Sequence, residues 1–335
     1  MHDLPLDALD LSLIHALQIR ARIPWTALGG VLGVDAATLM RRWRRLVEHG
    51  VAYVTVIPSQ PLTRLSLAHV EVACFPSHLQ GITDKLAADQ ATVTIDATAT
   101  GRQLITSVVG RSMDAIARWA LALGDGDDRL TAIHTAHVVA LVGEPTLWAP
   151  RALSQAQVVQ VRRWDRQAPK AASLAPTELS DLVEALTQDF RAPIADLAAR
   201  TGLSTRRVSE ALSSMIAADE LAFRIDVARP ATSTPILVWY FLRAPAARLT
   251  AVATQLSGIA RVRSVSKTSG AANLMVSCSL RSLEDMERLE EAIEGRQREV
   301  AVLDRTVVTR TAKHVGHLLD PDGLATRGRV RIAPA

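Results

Sequence analysis

The chain has 335 residues, enough for more than one domain. Its 48% hydrophobic and 21% charged residues fit a globular protein, not a disordered or fibrous one. A formal net charge of +4 is compatible with a polyanionic partner, while the absence of a signal-like leader or long uncharged apolar run argues for a cytoplasmic protein without a membrane span.

Leu6, Leu9, Leu13, Ile14 and Leu17 recur at helical spacing, with Asp7 and Asp10 in the first turns, where carboxylates oppose the helix dipole. Pro24 suits the first turn of a second helix, whose inward face holds Trp25, Leu28, Val31 and Leu32. Gly33 supplies a tight turn, and Asp35 is placed to cap a third helix. On that helix Leu39, Trp43 and Leu46 form one apolar stripe. Ala37, Arg41, Arg44 and Arg45 project from the other side, with Thr38 at its edge. Small residues at a helix start can approach a groove floor, and guanidinium groups further along reach phosphates or a guanine edge. These residues are candidate contacts to the major groove of double-stranded DNA. The competing reading is a plain solvated face of an amphipathic helix. Three helices with a glycine before the last form a helix-turn-helix, and Val51 to Ile57 reads as a following strand, or wing.

The period then changes. Leu67 to Phe75 reads as a strand and Ser77 to Ala88 as a helix capped by Ser77. Ala91 to Thr100 and Gln103 to Val109 read as strands around a turn at Gly101, followed by a helix over Ser112 to Leu123 and a strand over Leu130 to Leu141. The order β-α-β-β-α-β is ferredoxin-like: an antiparallel sheet with two helices on one face and a second face that needs cover. Cys74 and Cys278 fall in apolar runs far apart and read as reduced core residues, neither disulfide nor metal ligands.

The whole pattern occurs twice. Leu186, Pro193, Leu197 and Gly202 repeat Leu17, Pro24, Leu28 and Gly33 at a constant offset. Ser204 replaces Asp35 as the cap, and Val208, Leu212 and Met215 replace the apolar stripe. The outward positions of this second helix hold Arg206, Glu210, Ser213 and Ser214, with Arg207 at the edge, and Thr205, Arg206, Arg207 and Ser213 are its candidate DNA contacts. Glu210 stands where Arg41 stands in the first copy, so the second helix is the weaker phosphate binder of the two, although glutamate can accept from cytosine N4. Further strands and helices from Pro235 to Thr311 repeat the β-α-β-β-α-β order. The expected fold class is α+β: two winged helix-turn-helix domains and two ferredoxin-like domains in tandem duplication. The boundaries are 1–60, 61–145, a linker with a short helix at 146–172, 173–230, 231–314 and a loosely ordered tail at 315–335.

The run from Leu6 to Gln18 resembles the "LDxxDxxILxxLQ" opening of the Lrp/AsnC feast-or-famine transcription regulators. Arg22-Ile23, Leu28, Leu32-Gly33-Val34 and Arg44-Arg45-Leu46 stand where that family has its "RI…L…VGLS…RRL" string. The resemblance covers nearly the whole chain as two fused copies, and it implies that the ferredoxin-like units are RAM domains, which oligomerise and bind a small-molecule effector such as an amino acid or related metabolite. The family's effector loop, Gly-Asp-Tyr/Phe-Asp between the second and third strands, corresponds to Gly101, Arg102 and Gln103 in the first copy. In the second copy it corresponds to Gly270, Ala271, Ala272 and Asn273. Both acidic positions are missing, and either glycine also fits an ordinary hairpin that needs a positive φ.

Motifs for catalysis are absent: no HExxH, Gly-rich phosphate loop, GxSxG elbow or Cys-His arrangement, and His134 and His137 share a strand without a third ligand. The sequence therefore leads us to expect a non-enzymatic chain without cofactor or metal. It reads as a sequence-specific DNA-binding transcription regulator that forms homo-oligomers. The alternative is a small-molecule-sensing protein whose helix-turn-helix units contact other proteins.

Overall fold

The structure, a computed structural model, describes residues 6–58, 65–99, 103–142, 149–164, 174–218, 220–296 and 299–335. In chain order the elements are α1 (Ala8–Ile19), α2 (Trp25–Leu32), α3 (Ala36–Glu48), β1 (Ala52–Pro58), β2 (Ser66–Cys74), α4 (Leu79–Ala88), β3 (Thr92–Thr98), β4 (Leu104–Gly110), α5 (Met113–Gly124) and β5 (Leu130–Leu141). There follow α6 (Gln155–Arg163), α7 (Pro176–Gln188), α8 (Ile194–Thr201), α9 (Thr205–Ala217), β6 (Leu221–Val227), β7 (Ile236–Arg243) and α10 (Leu249–Ser257). The chain ends with β8 (Val262–Thr268), β9 (Leu274–Leu280), α11 (Glu284–Arg296), β10 (Ala301–His314), β11 (His317–Leu319) and β12 (Ala325–Arg329). Among the described residues no helix is long and apolar enough to cross a membrane.

These elements sort into two compact units that do not follow the linear domain order. One unit takes residues 1–64 and 149–227, both helix-turn-helix copies and the linker helix α6; the other takes 65–148 and 228–335, both ferredoxin-like copies and the tail.

In the helix-turn-helix unit, the strand expected as a wing pairs with its own copy. β1 and β6 run antiparallel, with Thr55 opposite Arg224 at the centre of the register. A two-residue clasp repeats the same symmetry. The Arg22 guanidinium donates to the carbonyls of Phe190 and Ala192, the latter at 3.1 Å, and Arg191 donates to those of Ala21 and Ile23. Arg191 also lies over the Trp25 ring, 3.8 Å from its centroid, a cation–π contact. Burial and the neighbouring Arg22 push the Arg191 guanidinium down to about 10. Trp43 meets Phe190 edge-on at 5.5 Å between centroids, so the inner stripe of α3 packs on the other copy as well as its own.

In the second unit, each copy builds an antiparallel sheet, β3-β4-β2-β5 and β8-β9-β7-β10. β5 pairs with β8 over Val138–Leu141, and β10 pairs with both β7 and β3, so the two sheets join at both ends. Even-numbered side chains of β2 and β7, such as Val70 and Tyr240, enter the cores beneath the helices. The opposite face forms a third cluster of Ile105, Trp239, Phe241, Met275 and Val308. At its centre the buried His69 sits between Ser107 Oγ (3.2 Å from Nδ1) and Ser266 Oγ (2.9 Å from Nε2). Trp239, the equivalent residue of the second copy, donates to Asp96 Oδ2 at 2.9 Å and packs edge-on against His69 at 5.1 Å. Asp96 and Ser266 are themselves equivalents, so one geometry is filled by two chemistries.

Two local expectations change. Ser77 does not cap a helix: a 3-10 turn over Pro76–His78 comes first, and α4 starts without a side-chain cap. The tail is ordered, because β11 and β12 form a hairpin on β10, and Ala333 and Ala335 donate to the carbonyls of Gln90 and Val109. Cys74 and Cys278 are buried and free.

Candidate nucleic-acid interface

α3 begins as its sequence dictates. The Asp35 carboxylate accepts from the amides of Ala37 (2.9 Å) and Thr38 (3.2 Å), and Gly33 takes φ +68 in the turn before it. Leu39, Trp43 and Leu46 are buried, which fixes the helix about its axis and turns Ala37, Arg41 and Arg44 to solvent. Thr38 is half-buried and accepts from Arg41 Nη2 at 3.2 Å, which lines up the first guanidinium along the helix. Among the described residues neither Arg41 nor Arg44 makes an ion pair.

Arg45 behaves differently from that expectation. Its Nη2 donates to Asp10 Oδ2 at 2.7 Å, while Arg42 bridges Asp10 (3.0 Å) and Asp7 (2.6 Å). Asp10 is 1% exposed and holds both guanidiniums, so Arg45 ties α3 to α1 instead of standing free. Asp7 doubles as the N-cap of α1 in a capping box with Asp10, and these bonds with the Arg42 charge hold its carboxyl below the ordinary range despite some burial.

α9 repeats the geometry with other chemistry. Ser204 accepts from the Arg207 amide at 3.2 Å, Gly202 takes φ +71, and Val208, Leu212 and Met215 are buried. Thr205, Arg206, Arg207 and Ser213 are exposed. Both cations are engaged, Arg206 with Glu210 at 2.9 Å and Arg207 with Glu178 at 2.8 Å. Exposed pairs of this kind contribute little to stability, but they offset the positive charge that α9 offers.

The loops expected to take an effector divide. Gly101 and Arg102 lie outside the described residues. Gln103 Oε1 accepts from the Cys74 amide at 3.1 Å, and Asn273 bonds Ala244 at both ends of its amide, 2.9 and 2.8 Å. Cys74 and Ala244 are equivalent positions, so these two side chains clamp the exits of β2 and β7. Gly270 takes φ +128, the carbonyl of Ala271 accepts from Arg243, and Ala272 packs against the central apolar cluster. Sequence reasoning missed the Arg22–Arg191 clasp; its visible trace is an Arg-x-Pro at the same place in each copy, Arg22-Ile23-Pro24 and Arg191-Ala192-Pro193.

Residues 6–47 match the model of the AsnC-type helix-turn-helix domain. Among curated proteins none matches the chain in sequence. Among solved structures, the siroheme decarboxylase NirDL is similar at 14% identity over 91% of this chain and 92% of that one, with a TM-score of 0.57. The same protein in co-complex with an iron-uroporphyrin III analogue is similar at 15% identity over 92% and 93%, again at 0.57. AsnC of E. coli is similar at 20% identity over 40% of this chain and 92% of that one, with a TM-score of 0.36. At these identities the likeness to NirDL shows a shared fold. It corrects the expectation of a non-enzymatic chain, because this architecture, over nine-tenths of its length, is that of a named decarboxylase. Missing motifs excluded only chemistries written in contiguous sequence; a site assembled from scattered strand residues leaves no such trace.

Proposed function

We propose, from the AsnC-type helix-turn-helix at residues 6–47 in a chain of about twice the Lrp/AsnC length, that this protein is a sequence-specific DNA-binding transcription regulator. The observation that carries the reading is the first recognition helix: Ala37, Thr38, Arg41 and Arg44 turned outward on a helix whose back is locked by buried Trp43 and leucines. Small residues at its start allow the groove floor to come close, and the two guanidiniums beyond reach phosphates or guanine edges. α9 presents Thr205, Arg206, Arg207 and Ser213, with less free cationic charge. The clasp and the β1–β6 ribbon hold the two helices within one unit, so one chain offers two unlike reading heads to an asymmetric site. A salt series of binding isotherms on genomic duplex fragments tests this. Tight binding with a log–log slope of several units supports it, and no duplex binding at low salt rejects it.

Two finer elements belong to the same reading. A small effector, an amino acid or related metabolite, is assigned to the loop Gly270–Asn273 and to its counterpart at Gly101–Gln103, and further chains associate through the ferredoxin-like unit. Isothermal titration with a panel of amino acids, alongside sedimentation, checks both.

The NirDL fold favours a second reading, decarboxylation of a tetrapyrrole-type substrate. Incubating the full chain anaerobically with an iron-uroporphyrin-type compound and following loss of carboxylate by mass spectrometry decides it; an unchanged mass spectrum dismisses it.

A further inference from the structure

The linker helix α6 lies between the two copies in sequence and packs on α1 and α2 of the first. Three contacts fix it there. Gln157 donates to the carbonyl of Val31 at 3.2 Å, Arg20 donates twice to that of Trp164 at 3.3 and 3.2 Å, and the Leu153 amide donates to His15 Nδ1 at 3.1 Å. Its own Val161 is fully buried, and Ser154 and Gln157 close a capping box at its start. A helix of 9 residues is too short to persist alone, so its place is set by this docking.

The two segments that meet here carry no carboxylate. From residue 11 to 34 and from 149 to 164 the sequence contains no Asp or Glu, while it contains Arg20, Arg22, Arg151, Arg162 and Arg163. Arg151, Arg162 and Arg163 are exposed, and among the described residues none of them makes an ion pair. Arg151 sits at φ +50, a left-handed backbone that costs an L-residue on the order of 1 kcal/mol and is held by its surroundings. Burial, then Arg151 and then Arg162, lower the pKa of His15, so these two arginines of the linker converge on one imidazole of the first copy. Arg162 and Arg163 in the last turn also complement the helix dipole, but that does not account for Arg151, which precedes the helix.

We propose that the docked linker helix is a second phosphate-contacting element of the first helix-turn-helix, with Arg151, Arg162 and Arg163 holding the DNA backbone outside the segment read by α3. This rests on the DNA-binding reading above. A duplex is the fitting occupant because the helix is docked on the domain that carries α3 and displays three exposed cations.

The test compares the full-length wild type with the triple variant R151A/R162A/R163A on one specific and one unrelated duplex, by fluorescence anisotropy over a salt series. Each lost phosphate contact lowers the log–log slope by about 0.9, so the triple variant is expected to lose about 2 to 3 units and to weaken on both duplexes alike. An equal melting temperature keeps the comparison sound; should the triple variant melt early, R151Q/R162Q/R163Q repeats it with the stems retained. An unchanged slope in a folded variant overturns the proposal. Displacement of duplex by inorganic phosphate at matched ionic strength also overturns it, marking a free-phosphate site instead. If wild type itself binds no duplex, the DNA-binding reading falls with it; if wild type binds and only the variant is indifferent, the linker assignment alone falls.

Discussion

The two copies keep one backbone plan and differ in where they spend charge. In the first, a carboxylate buried at Asp10 anchors Arg42 and Arg45, leaving Arg41 and Arg44 free of ion pairs among the described residues. In the second, the equivalents of Asp10, Arg42 and Arg45 are the uncharged Leu179, Ala211 and Ser214, and the remaining arginines are offset by Glu178 and Glu210. The ferredoxin-like copies diverge in the same manner at their shared centre, His69 and Ser266 against Trp239 and Asp96. In a symmetric pair of identical chains each residue near the axis must suit its own copy; fusion removes that demand and lets one position hold an imidazole and its mate an indole.

The largest expected effect breaks that central symmetry by pH. His69 is fully buried and burial pushes its pKa down to about 4 from 6.5, so the unfolded chain binds a proton that the folded one refuses. Stability is therefore full above pH 6.5 and falls as pH drops toward 4, by about 3 kcal/mol. Urea unfolding of wild type and His69→Gln across this range should show the difference between them closing as the pH falls; parallel profiles would rule out His69 as the source.

Next comes the contrast between reading heads. R41A/R44A is expected to weaken duplex binding on the order of a hundredfold and R206A/R207A less than about tenfold, since only the first pair gives up unshared charge. Equal losses would erase the asymmetry. A smaller effect follows at the anchor. Asp10→Ala leaves two guanidiniums without their buried partner, and because both reach solvent the cost is about 2 kcal/mol, below that of a fully buried pair. Leu179→Ala at the matching half-buried position removes packing without stranding a charge. The pair of melting curves separates electrostatic from apolar anchoring. Smallest is the cap: Asp35→Ala and Ser204→Ala should each cost about 1 kcal/mol, and here the copies are expected to behave alike.

Much of the architecture is legible in spacing. The stripes Leu39-Trp43-Leu46 and Val208-Leu212-Met215, the caps at Asp35 and Ser204, and the glycines at 33 and 202 all act within a turn or two of helix, and the structure has each of them in place. The candidate interface was legible only in outline. Nothing near Arg45 in the sequence announces that its partner is Asp10, 35 residues earlier, instead of solvent. Likewise, nothing in the sequence around Gln103 and Asn273 announces that their side chains bond Cys74 and Ala244 at the ends of β2 and β7.

By itself, then, the sequence determined most of the elements up to β10, their duplication and the buried stripes of α3 and α9, because periodicity and capping are short-range and written in consecutive residues. Tertiary structure alone decided which arginines are free, that β1 finds β6, that the linker helix rides on the first copy and that the sheets join through β5–β8 and β10–β3. Those outcomes depend on groups brought together across up to two hundred residues or so, where hydrogen-bond partners and desolvation are set by the packing of whole layers and no local pattern records them.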